Sequence, residues 1–238
     1  MSPAALPRPL EVDAIAFDLD GTLVDSAPDI QQALNSALAS EHLAPYDLQQ
    51  VVSWIGDGPD ALIDQALTQA GIVNSSMALP RRLRAAYDRA ALQQPFTHGT
   101  VFHGIPQALR QLQADWPLVV VTNKPTALAH AVLQAAGLQG FFRSVHGADS
   151  REQRKPAPYL LQAAGQVLGV VPARLLMVGD SAADLGAAAA ADCPVAFARW
   201  GYGKPGAITA HPRAHPLDCP SALPALLASR PRRTGSVT

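Results

Sequence analysis

The sequence predicts an α/β protein with a doubly wound, mostly parallel sheet and an α-helical cap domain inserted after the first strand. Three observations predict it. Residues 12–18, Val-Asp-Ala-Ile-Ala-Phe-Asp, are apolar almost throughout, the pattern of a strand covered on both faces. From about residue 100 onward, strand-length apolar runs alternate with helical patterns, as βα units do. Between these stretches, residues 25–95 carry helical periodicity and no strand signal. The expected division is a catalytic core of residues 1–24 and 96–238 and a helical cap of residues 25–95.

The elements follow in order. After the first strand, Pro28 fits a first helical turn behind Ser26, and Ile30, Leu34, Ala37 and Leu38 recur on one face. A second helix follows Gly58-Pro59, with Leu62, Ile63, Ala66, Leu67 and Ala70 on its apolar side, and stops at Gly71. A third starts near Pro80, carries Leu83, Tyr87 and Ala90, and ends before Pro95. Strands are then predicted at 118–122, 143–147, 174–180 and 194–198. Helices are predicted at 125–136, 158–168 and 182–191, with Gly137 and Gly169 as stops. The alanine-rich stretch around Ala187 reads as helix, and residues 230–238 read as a frayed tail.

Composition narrows the function. The chain has 238 residues, 48% of them hydrophobic, enough to bury a full core. Its 18 basic and 19 acidic residues give a net charge of -1, which carries no footprint of nucleic acid or of a membrane surface. The N-terminal stretch has Pro3, Pro7 and Pro9 but no signal-like apolar segment, and no apolar run is long enough to span a bilayer. Cys193 and Cys219 make neither a metal spacing nor a disulfide framework. A cytoplasmic protein is the default expectation. Lysine is scarce: only Lys124, Lys155 and Lys204 occur, and every other permanently basic side chain is arginine.

Four polar clusters sit at predicted strand ends, where α/β sheets bind ligands. Asp18-Leu19-Asp20 places two carboxylates within reach of one phosphate. One can attack phosphorus, and the other can protonate the leaving oxygen and then activate water. Thr122-Asn123-Lys124 offers a hydroxyl and helix-start N–H groups to a phosphate oxygen, although a threonine there is also an ordinary helix cap. Lys155, in Lys155-Pro156-Ala157-Pro158, supplies a compact positive charge for phosphate and carboxylate, or else a surface charge. Asp180 and Asp184, in Gly179-Asp180-Ser181-Ala182-Ala183-Asp184, complete an oxygen-rich site suited to Mg²⁺, or else only cap a helix. Each cluster has a bland reading. Their joint occurrence, each at a strand end, favours a phosphoryl-transfer site.

These four segments resemble the signatures of the haloacid dehalogenase superfamily of phosphatases, and the resemblance spans nearly the whole chain. It implies a Rossmann-like core with a helical cap. It also implies Asp18 as nucleophile and Asp20 as general acid/base. Mg²⁺ would be held by Asp18, Asp180 and the Asp20 carbonyl, with Asp184 in or near the outer shell; Thr122 and Lys155 would bind the phosphoryl group, and Asn123 is a further substrate-binding candidate. Within the superfamily, residues 18–30, Trp54-Ile55-Gly56-Asp57-Gly58, Thr122-Asn123-Lys124-Pro125 and Trp200-Gly201-Tyr202-Gly203 are similar to the phosphoglycolate phosphatase subgroup. His103 departs from it, standing where such proteins usually carry proline, and reads as a loop residue that could alter the cap's hinge.

The resemblance also separates relatives. Dehalogenases lack a carboxylate at the position of Asp20, because halide leaves without a proton. Phosphonate-cleaving relatives need a cap lysine to form a Schiff base, and residues 25–95 contain no lysine. Sugar phosphomutases use both aspartates in the same roles, so they differ only in what the cap admits. The cap's Arg81, Arg82, Arg84 and Arg89 are candidate anion contacts, with Arg84 as the substrate candidate. The expected substrate is a small phosphorylated metabolite such as 2-phosphoglycolate. A sugar phosphate, such as an amino-sugar 6-phosphate, or a nucleotide is the alternative, and the expected state is a monomer or homodimer. A silent binding protein would have lost at least one of these carboxylates, and none is missing.

Overall fold

The computed structural model describes residues 9–72, 78–204, 206, 208 and 213–228; the expected frayed tail at 230–238 lies outside them. Strand β1 (Ala14–Phe17) leads through a short β2 (Val24–Asp25) into four helices: α1 (Ala27–Ser40), α2 (Leu48–Val52), α3 (Gly58–Gln69) and α4 (Ala78–Gln93). The chain returns through a short β3 (Thr100–Val101). It continues as α5 (Ile105–Leu112), β4 (Leu118–Thr122), α6 (Thr126–Ala135), β5 (Ser144–Gly147), α7 (Tyr159–Leu168), β6 (Leu175–Gly179), α8 (Ala182–Ala191), β7 (Val195–Ala198), β8 (Ala214–Leu217) and α9 (Leu223–Leu226).

The sheet has the order β5-β4-β1-β6-β7-β8 and every pairing is parallel. The four inner strands β4, β1, β6 and β7 are buried on both faces because their side chains alternate between two apolar layers. Ile15, Phe17, Leu118, Val120, Leu176 and Val178 point into a layer closed by Leu109 and Leu112 of α5 and Val132 and Leu133 of α6. Ala14, Ala16, Val119, Val121, Leu175 and Met177 point the other way, onto Leu160, Leu161 and Ala164 of α7 and Leu185 and Ala188 of α8. A sheet so covered can present polar groups only at its ends. Register sets which ends coincide: Phe17 lies opposite both Val120 and Val178, so the residues just past β1, β4 and β6 emerge side by side.

The inserted helices have an apolar core of their own, built from Ile30, Leu34 and Leu38 of α1, Val51 of α2, Leu62, Ile63 and Leu67 of α3, and Leu83 and Tyr87 of α4. Leu128 of α6 joins that core, so the helical unit is seated against the sheet domain. Both passages into it are tied together. β2 and β3 pair antiparallel, with Val24 opposite Val101 and Asp25 opposite Thr100. The buried Asp29 carboxylate accepts N–H bonds from Thr97, His98 and Gly99 at 2.8–2.9 Å. Asp25 therefore lies in a strand, where the sequence read an all-helical stretch. His103 is exposed in the turn before α5.

Candidate active site

The loop after β1 turns sharply because Gly21 adopts φ +85°, and a Cβ there would lie 2.5 Å from Asp180 Oδ2. The missing side chain lets the β1 loop and the β6 loop touch. Asp18 follows β1, with its backbone N–H bonded to the Val178 carbonyl at 2.9 Å. Its Oδ1 accepts the Leu19 N–H at 2.7 Å and faces the Lys155 ammonium at 2.9 Å, whereas its Oδ2 accepts no hydrogen bond among the described residues. One oxygen is fixed. The other is left available toward the cavity that Asp18 lines.

Lys155 is fully buried between two carboxylates, 2.9 Å from Asp18 and 2.6 Å from Asp184, and also donates to the Val121 carbonyl at 3.0 Å. Burial disfavours its charge, but Asp18 and Asp184 more than offset that and hold the ammonium above its usual pKa. Asp184 serves two structures at once. Its Oδ2 accepts from the Ser181 N–H and hydroxyl, closing the capping box of α8, while its Oδ1 receives Lys155. Asp180 accepts from the Thr22 hydroxyl at 2.9 Å, the Tyr202 N–H at 2.7 Å and the Gly203 N–H at 3.1 Å.

Asp18, Asp180 and Asp184 each offer an oxygen within 4.8 Å of the others. Three buried carboxylates thus face a single ammonium. Burial first, then repulsion from Asp184, pushes Asp18 up to about 7 and Asp180 up to about 6. The excess negative charge and the all-oxygen donor set fit a hard divalent cation. Among the described residues only Asp18 keeps an oxygen, Oδ2, without a hydrogen-bond partner; both oxygens of Asp180 and both of Asp184 are already engaged.

The cavity above Asp18 holds about 40 Å³ and is lined by Asp18, Asp20, Thr122, Asn123 and Lys124 below and by Ile30, Trp54, Ile55, Pro59, Leu62 and Tyr87 of the inserted segment above. Asp20 projects into it with two partners, the Ser26 hydroxyl and the Lys124 ammonium at 2.9 Å. Thr122 Oγ1 accepts the Lys124 N–H at 3.2 Å. Asn123 lines the cavity but is committed to protein: its amide nitrogen donates to the Gly56 and Lys155 carbonyls, and its oxygen accepts the Lys155 N–H at 2.7 Å. It fastens the β4 loop to the Lys155 loop and to the inserted helices.

The structure therefore brings Asp18, Asp20, Thr122, Asn123, Lys155, Asp180 and Asp184 together and leaves Arg84 outside. The Arg84 guanidinium is paired with Asp60 and with Asp88 and does not line the cavity of Asp18; it lines a neighbouring groove that Lys155 and Pro156 also border. The sequence reading assigned no role to Lys124 or Tyr202. Lys124 carried a signal, being one of three lysines; Tyr202 Oη accepts the Ala27 N–H and donates to Asp25 at 2.7 Å, which no pattern encodes.

Carboxylates and an ammonium at the carboxyl ends of adjacent parallel strands, under a helical cap, define a phosphate-processing α/β enzyme. The model of the haloacid dehalogenase-like hydrolase family matches residues 12–192. Proteins named phosphoglycolate phosphatase from Chromobacterium violaceum and Escherichia coli are 37% and 35% identical over 80% and 81% of this chain, and over 86% and 83% of their own. A crystal structure described as a predicted phosphoglycolate phosphatase from Haemophilus somnus superposes with TM-score 0.82 at 29% identity, covering 91% of this chain and 98% of that one. The chain belongs to the haloacid dehalogenase-like hydrolase family, and within it is a phosphatase.

Proposed function

We propose that the chain hydrolyses a small phosphomonoester, with 2-phosphoglycolate as the first candidate, through a phosphoryl-aspartate on Asp18. The observation that carries this reading is the Asp18 carboxylate, which lines the cavity, is gripped on Oδ1 by Leu19 N–H and Lys155, and has no partner on Oδ2 among the described residues. Asp18 Oδ2 attacks phosphorus while Asp20 gives its proton to the departing ester oxygen. Asp20 then takes a proton from water as that water attacks the phosphoryl-aspartate, releasing phosphate and restoring Asp18. The Thr122 hydroxyl holds a phosphoryl oxygen, and Lys155, held by Asp18, Asp184 and the Val121 carbonyl, supplies positive charge beside the phosphoryl group. Mg²⁺ is the proposed cation, with Asp18, Asp180 and the Asp20 carbonyl as ligands and Asp184 behind them; when bound it supplies charge neutralisation for the phosphoryl group.

The names of the relatives favour a small substrate over a nucleotide. We take residues 25–95 as the cap and residues 1–24 and 96–238 as the core, working in the cytoplasm as a monomer or homodimer. Among the described residues no helix is long and apolar enough to cross a membrane. The test is phosphate release from 2-phosphoglycolate and from an aryl phosphate, with Mg²⁺ or with chelator. Activity is expected to need Mg²⁺ and to fall at least about 10³-fold in Asp18→Asn. Undiminished turnover in chelator, or in that variant, would overturn the mechanism.

A further inference from the structure

Of the chain's three lysines, Lys155 is accounted for by Asp18 and Asp184, and Lys204 is exposed. Lys124 is the remaining one, and it is buried. An ammonium has three N–H donors, and among the described residues this one meets a single charged partner, Asp20 Oδ2 at 2.9 Å. It lines the same cavity as Asp18 and Thr122, beside Tyr87 of α4. An ammonium with spare donors, held at the floor of a cavity whose ceiling is apolar, can take a second anion there.

Resting on the phosphatase reading above, we infer that Lys124 is a specificity residue that binds a second anionic group of the substrate, a carboxylate one carbon away from the phosphate ester oxygen. Distance sets that placement. Asp20 must come within about 3 Å of the ester oxygen to give it a proton. Lys124 sits 2.9 Å from that same carboxylate, so an anion on Lys124 lies close beside the ester oxygen. A carboxylate on the carbon that carries the ester oxygen reaches it. A second anion at the far end of a sugar does not. The apolar ceiling of Ile30, Trp54 and Leu62 offers no other charged group, so Lys124 selects the short phosphorylated acid and rejects the neutral ester.

The experiment compares 2-phosphoglycolate with 2-hydroxyethyl phosphate, which replaces the carboxylate by a neutral alcohol at similar size. The readout is the ratio of their kcat/KM values in wild type, Lys124→Met and Lys124→Gln. A ratio cancels any loss common to both substrates, including any effect passed on through Asp20. Wild type is expected to prefer the acid, and either variant to lower that preference by about 30-fold, chiefly through KM, the size of a lost charge-assisted hydrogen bond. Two variants guard against one that fails to fold. A wild-type preference for the acid that survives in the variants overturns the role of Lys124 and leaves the phosphoglycolate reading intact. A wild type with no preference for the acid overturns the phosphoglycolate reading, and this inference with it.

Discussion

Asp18 is an expensive residue to keep folded. Burial first, then repulsion from Asp184 and Asp180, pushes it up to about 7, against an ordinary value of 3.8, and Asp180 rises to about 6. The sign of the consequence follows from proton counting. Between pH 4 and 7 the native state still holds protons that the unfolded chain has released, so raising the pH favours unfolding. The contribution is fully present below about pH 4 and is lost as pH climbs through the folded values. The metal-free protein is therefore expected to melt at lower temperature at pH 7.5 than at pH 5. Metal-free Asp18→Asn, relieved of that charge, should be the more stable of the two proteins at pH 7.5 and lose the advantage near pH 4. Thermal unfolding in chelator checks this; equal pH slopes for the two proteins would show that Asp18 is not strained by its neighbours. Added Mg²⁺ should restore the wild type and release protons, read as a buffer-dependent heat of binding.

Asp29 shows how an element depends on one side chain. Its carboxylate satisfies three consecutive N–H groups at 97–99, which leave α4 without any strand partner of their own until β3 begins. Asp29→Ala orphans all three and is expected to cost about 3 kcal/mol in urea unfolding, with faster hydrogen exchange at Thr97, His98 and Gly99. Unchanged exchange there would show that water replaces the carboxylate without loss. Residues of this kind mark the limit of the sequence reading. β1, β4, α7, β6, α8 and β7 stood out because each is a long apolar run or a periodic segment with a clear stop, and α8 coincides with the span 182–191. β2 and β3 are two residues each, too short for any pattern, and exist only because they pair with one another. β8 contains Pro216, which reads against a strand and is tolerated because β8 lies at the edge of the sheet. α5 had a legible face, Ile105, Ala108, Leu109 and Leu112, and the reading began its alternation one element too late. In the site, Asp184 meets its reading as a helix-capping residue through one oxygen, while the other pairs with Lys155. Arg84 has one partner at helix spacing on α4, Asp88, which the sequence could have shown, and a second, Asp60, that only the packing of α3 on α4 brings to it.

At the scale of the whole molecule the difficulty is access. A cavity of about 40 Å³ accommodates two or three waters, less than a phosphorylated acid needs, so the helical unit must move before substrate enters. Among the described residues, an ion pair and a hydrogen bond tie the inserted helices to the loop regions carrying Asn123 and Lys155: Asp60 meets Arg154, and Asn123 holds the Gly56 carbonyl. Asp60 is the hub, since it also engages Arg84 within the helical unit, so its removal frees a cation on each side of the interface. The pair is partly exposed, with Arg154 at 13% and Asp60 at 44%, and such pairs contribute no more than about 1 kcal/mol. Asp60→Ala should therefore shift the balance toward an open form by about 5-fold at most, seen as a larger radius of gyration in small-angle scattering. If chemistry requires the closed form and product leaves from the open one, kcat/KM should fall by a similar factor while kcat holds or rises. The same variant with an unchanged radius and unchanged kinetics would place the closing force elsewhere, in the apolar seat where Leu128 enters the helical core. Leu128→Ala then becomes the variant that opens the molecule, because that contact is buried and large enough to exceed the ion pair.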